Sequence, residues 1–103
     1  MIKVGIISFS DGRIRVHHSQ EEYIKNCENK IKNTLFQTGE VETVVADEMI
    51  YNSELAKTQS QAIAAKNVDA IIFNVPVFAF PNFSLIAAKM QNVPILMQHL
   101  QCK

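Results

Sequence analysis

A chain of 103 residues with 48% hydrophobic content is one domain, near the lower end of what buries a self-sufficient core, and its composition excludes disorder. Ten basic and ten acidic residues cancel, which removes the overall field that would attract nucleic acid or an anionic membrane. Cys27 and Cys102 lack metal or redox spacing, no segment reads as a signal, and no apolar run approaches the ~18 residues of a membrane span, so a soluble, unprocessed, cytoplasmic chain with reduced thiols is expected.

Residues Ile2 to Phe9 are rich in β-branched side chains and nearly continuous in apolar character, as a strand buried on both faces of a parallel sheet should be. Ser19 and Glu22 have capping-box spacing, and Ile24, Cys27, Ile31 and Leu35 follow at three- or four-residue intervals. Together they predict a helix from about Gln20 to Thr38, ended by Gly39. Cys27 lies on the apolar stripe of that helix and reads as a packing residue. Val41 to Ala46 is a short second strand, and Asn52 or Ser53 can cap a helix that runs to about Lys66. Val68 to Phe73 makes a third strand. A helix from Phe83 to Met90 and a fourth strand from Val93 to Met97 complete the chain, with Pro94 suited to a strand start or an edge.

The alternation β-α-β-α-β-α-β predicts a three-layer α/β domain spanning residues 1–103, with a parallel sheet of about four strands in the order 2-1-3-4. In that order the loops after the first and third strands flank the switch point, where open parallel sheets bind ligands outside the carboxyl ends of their strands. The first loop is Ser10-Asp11-Gly12-Arg13, followed by Ile14-Arg15-Val16-His17-His18. Arg13 is the best binding candidate in it, because a guanidinium beside glycine can fan its donors onto hydroxyls or anions. Asp11 precedes Gly12 in a common turn dipeptide and reads first as a turn residue. Adjacent histidines point in different directions, which argues against His17 and His18 as a two-ligand metal site.

The second loop, Asn74-Val75-Pro76-Val77-Phe78-Ala79-Phe80-Pro81-Asn82-Phe83, is stiff and aromatic. Beside a charged loop it could wall a sugar or small polar ligand, which needs a ring face and a few directed donors. The same aromatics, Phe80 and Phe83 above all, could equally be buried over the sheet end. Asn74 ends a strand, and its amide has either loop backbone or a ligand as partner. No glycine-rich phosphate cradle of dinucleotide or P-loop type is present. Asn74 stands where a phosphoacceptor receiver would carry an acid, and neither cysteine follows a strand as thiol chemistry would require.

The segments Val4 to Arg13 and Phe73 to Phe83 resemble the N-terminal domain of the L-fucose isomerase family, the aldose-ketose isomerases that include L-fucose and some L-arabinose isomerases. The resemblance covers essentially the whole chain. It implies a Rossmann-like first domain that helps cover the sugar site of a neighbouring subunit in a much longer enzyme. By the resemblance Arg13 is the substrate-contacting arginine, and Phe78 stands where relatives carry an aromatic, often tryptophan, against the sugar. Phenylalanine keeps a stacking face without the indole donor. Asp11 and Asn74 complete the expected substrate-binding set.

The family's divalent metal, usually Mn2+, is held by Glu, Asp and His of later domains and assists proton transfer through an ene-diol. No catalytic residue, cofactor or metal is therefore expected in this chain. A chain ending at Lys103 is expected to be a truncated product or an excised domain, and a sheet stopped so early should expose an apolar edge that favours homo-oligomers. The alternative reading is a stand-alone flavodoxin-like module for binding a small metabolite or for oligomerisation.

Overall fold

A computed structural model describes residues 2–10, 13–75, 81–89 and 91–98, with backbone only at 14, 16, 81–84 and 98. The element order is β1 (Ile2–Ser8), α1 (Ile14–Phe36), β2 (Val41–Val45), α2 (Ser53–Ala64), β3 (Ala70–Asn74), α3 (Pro81–Lys89) and β4 (Ile95–Gln98). All four strands are parallel and their order is β2-β1-β3-β4, as the alternation of elements predicts. This is the Rossmann-like, flavodoxin-like α/β architecture.

The two faces of β1 carry different chemistry. Residues Ile7, Phe9, Ile71 and Phe73 join Ala56 and Ile63 of α2 and Ala87 of α3 in one buried cluster. The Phe9 and Phe73 rings meet at 4.9 Å with a 57° tilt, a geometry that adds about 0.5–1.5 kcal/mol to their burial. One position along, Ser8 and Asn74 turn to the opposite face and hydrogen-bond to residues of α1. Gly5 sits where α2 approaches closest: a Cβ there would lie 2.8 Å from Ile63 Cγ2.

The first helix begins at Ile14, six residues ahead of the predicted Gln20. The Ser19/Glu22 spacing is not the helix start. Arg13 is the N-cap in extended conformation, and the His17 amide donates to the Arg13 carbonyl at 2.9 Å. The added turn is held by tertiary burial of His17, which continues the Ile24 and Cys27 face backwards. At the other end the helix stops at Phe36, and Gly39 takes φ +75°, the left-handed conformation glycine adopts without a Cβ penalty.

Of the two candidate caps for α2, Asn52 is the one used, its Oδ1 accepting from the Leu55 amide at 2.8 Å, and Ser53 is the first helical residue. The third strand starts at Ala70, two residues later than predicted. Asn67 has positive φ, and Asp69 pairs with Lys3 through both its backbone amide and its carboxylate, which makes Val68-Asp69 the entry bend. Pro81 opens α3, a position where the missing amide costs nothing. The Pro94 carbonyl accepts from the Ile71 amide just before β4 begins. Leu96 and Met97 on β4 are exposed. Cys27 is buried and is not in a disulfide; Cys102 lies outside the described residues. No helix among the described residues is long and apolar enough to cross a membrane.

Candidate functional site

The carboxyl end of β1 is tied to both neighbours. The Phe9 amide donates to the Asn74 carbonyl at 2.9 Å, the Ser10 amide to the Ile50 carbonyl at 2.8 Å, and the Ile50 amide to the Ser8 carbonyl at 2.9 Å. The loop between β2 and α2 is thereby pinned beside the strand end, facing the first turns of α1. Between them lies an open cleft of about 530 Å³. Its lining includes His17, His18, Glu21 and Glu22 from the helix, and Asp47 and Tyr51 from the loop.

His17 anchors this cleft. It is buried, its Nδ1 lies 2.8 Å from Ser10 Oγ, and its ring stacks on Tyr51 with centroids 4.1 Å apart and planes 22° from parallel. His18 is exposed, yet the two imidazole centroids are only 5.4 Å apart. Adjacent helical residues need not diverge when one ring is held back by stacking. Ligating atoms of His17, His18 and Glu21 all fall within 4.8 Å of one another, a convergence that local sequence pattern does not anticipate.

Burial pushes the His17 imidazole below its usual 6.5; the Glu21 carboxylate pulls it upward, and His18 adds a smaller downward push. The neutral ring is therefore favoured in the fold. Below pH 6.5 the unfolded chain takes up a proton that the native state resists, so stability falls as pH falls towards the native value and is unaffected above 6.5. Unfolding free energies from urea titrations between pH 7.5 and 5 should decline more steeply for the wild type than for His17→Gln, the excess slope not exceeding about 1.4 kcal/mol per pH unit for one proton. Equal slopes would show that His17 titrates normally.

Beneath the cleft floor runs a buried polar chain. Asn74 Nδ2 donates to Ser8 Oγ at 3.0 Å and, more weakly, to the Ile24 carbonyl at 3.5 Å; Ser8 Oγ donates to Glu28 Oε1 at 2.8 Å. Glu28 Oε2 then lies 3.6 Å from Lys25 Nζ, which reaches out to solvent. Through these bonds the Asn74 amide is engaged within the domain. Arg13 is exposed at the head of α1 and is not part of the cleft wall. Asp11 and Phe78 lie outside the described residues, as do Phe80 and the side chain of Phe83.

The cleft therefore lies on the β1/β2 side of the strand ends. Its sequence signal is the i, i+4 pair His17 and Glu21, which becomes visible only once the helix is known to start at Ile14.

A family model for the L-fucose isomerase first N-terminal domain matches residues 1–101. Neither a curated protein nor a solved structure matches the chain. The family match runs through both segments that carry the sequence resemblance and spans all four strands of the parallel sheet. The chain belongs to the L-fucose isomerase first N-terminal domain family.

Proposed function

We propose that this chain is the substrate-covering N-terminal domain, or a fragment carrying it, of an L-fucose- or L-arabinose-type aldose-ketose isomerase, and that it does not catalyse alone. The observation that carries this reading is the family match over residues 1–101. Arg13, at the extended N-cap that follows β1, would donate to sugar hydroxyls. Phe78 would supply an apolar ring face against the sugar, with Asp11 beside it and Asn74 supporting that wall from beneath. A buried Asn74 amide bonded to Ser8 fits a supporting role, holding the strand end beneath the loop.

Isomerisation moves a proton between adjacent carbons while the carbonyl and hydroxyl oxygens are polarised, in this family by Mn2+. The one cluster of three metal-ligating groups among the described residues is two imidazoles and a carboxylate. Mn2+ is best served by carboxylate, carbonyl and water oxygens, so this set does not fit the family's metal, and its ligands belong in our reading to later domains. This chain's contribution would be to orient the sugar and exclude water, as part of a homo-oligomer in which one subunit covers the site of the next.

The chain incubated with Mn2+ and L-fucose or L-arabinose should show no ketose formation, with activity appearing when the remaining isomerase domains are supplied. Turnover by the chain alone would sink the proposal. Titration with the same sugars, followed by amide shifts, should perturb Arg13 and Phe78, and Arg13→Ala should weaken that response at least tenfold. No perturbation by any sugar would overturn the sugar-covering role. The cleft favours a second reading, a flavodoxin-like module binding a small polar metabolite. It predicts shifts at His17 and Tyr51 that leave Arg13 unmoved.

A further inference from the structure

Three features of the cleft point to a cation. His17, His18 and Glu21 place their ligating atoms within 4.8 Å of one another, one residue buried and two exposed. Around a tetrahedral ion with bonds of about 2.0–2.1 Å, ligand atoms stand about 3.4 Å apart. The exposed His18 and Glu21 side chains are free to rotate through that difference. The His17 ring is already oriented: Tyr51 stacks on it and Ser10 Oγ lies 2.8 Å from Nδ1. With Nδ1–H donating to the serine, Nε2 holds the lone pair, the arrangement in which an outer-shell hydrogen bond fixes the tautomer of a ligating histidine.

The surroundings have the matching sign. Besides Glu21 the cleft is lined by Glu22, Glu28, Asp47 and Glu48, against a single lysine, Lys25. Such a wall concentrates cations and repels anions. Two imidazoles with one carboxylate suit a divalent ion of borderline softness rather than the oxygen-seeking Mg2+, Ca2+ or Mn2+.

We infer that His17, His18 and Glu21 form a binding site for a divalent transition-metal ion of the Zn2+ type at the head of α1, with Ser10 and Tyr51 holding His17 in register. Three protein ligands leave a coordination position for water or a small oxygen ligand. Bound metal would also tie the first turn of α1 to its second, in the part of the helix that sequence signals alone do not start.

The test is Zn2+ titration of the full chain by calorimetry at pH 7.5 in a non-chelating buffer, with imidazole resonances followed by NMR. One saturable equivalent is expected, shifting His17 and His18 together. His18→Ala and Glu21→Gln each replace an exposed side chain, so the fold is retained, and each should weaken binding at least tenfold. His99→Ala combined with Cys102→Ser removes the remaining histidine and the second cysteine and should leave affinity within twofold of the wild type. The proposal is overturned by the absence of saturable binding below about 1 mM Zn2+. It is equally overturned by unchanged affinity in both His18→Ala and Glu21→Gln, or by loss of binding in the His99/Cys102 variant.

Discussion

Gly5→Val should destabilise the domain by about 3 kcal/mol or more, and Gly5→Ala by about 1–2 kcal/mol. Gly5 is in the central strand, paired to Val44 on one side and Ile71 on the other, so the backbone cannot retreat within the sheet. A Cβ would meet Ile63 Cγ2 at 2.8 Å, closer than real side-chain carbons come, with Ile71 and Val68 carbons at 3.5 Å behind it. The methyl it would strike sits on a branched Cβ in a side chain only 1% exposed, which leaves no rotamer into open space. The helix α2 would have to lift, opening the contact between Ile63 and the sheet. For alanine, the lower conformational freedom of the unfolded chain offsets part of the cost. Urea unfolding should show a lowered midpoint at unchanged slope. A Gly5→Val protein as stable as the wild type would mean that α2 does not pack on β1 at this spacing.

Glu28→Ala is expected to cost about 2–3 kcal/mol although it removes a charge from a nearly buried position. Taking a carboxylate out of a buried site is by itself favourable, since its desolvation is no longer required. The opposing loss is larger here because the Ser8 hydroxyl, 1% exposed, has Glu28 Oε1 as its acceptor at 2.8 Å and is left with an unmet donor. Glu28→Gln keeps an acceptor oxygen and should cost less than half as much. In the double variant Ser8→Ala/Glu28→Ala the unmet hydroxyl is gone, so the two changes together should cost about 1–2 kcal/mol less than their sum. Strict additivity in that cycle would show that the Ser8–Glu28 hydrogen bond contributes nothing.

These two effects come from the same alternation along β1. Odd positions from Gly5 to Phe9 meet the apolar face of α2 and α3, and Ser8 between them turns to α1, where the polar chain from Asn74 to Glu28 fills the space. Position 8 was legible as strand. That its hydroxyl is bridged on both sides was not, because Asn74 and Glu28 lie 66 and 20 residues away.

Strand order, parallel pairing and the start of α2 at Asn52 or Ser53 could all be read along the chain, for a physical reason. Apolar periodicity, capping side chains and glycine turns act over a few residues, and right-handed crossover rules then leave few ways to connect the elements. The family could be read too, from two loop segments, and the match over residues 1–101 establishes it. The start of α1 could not. Ser19 and Glu22 are a sound local start signal, yet the helix extends back to Ile14 because His17 is buried between Ser10 and Tyr51, residues from two other parts of the chain. That one contact also converts His17 and His18 from neighbours facing apart into two members of a cluster with Glu21. Local pattern thus determined which elements form and how they are ordered. Packing between distant segments decided where α1 begins and which side chains share the cleft, since the free energy of burying His17 depends on partners that no short window of sequence contains.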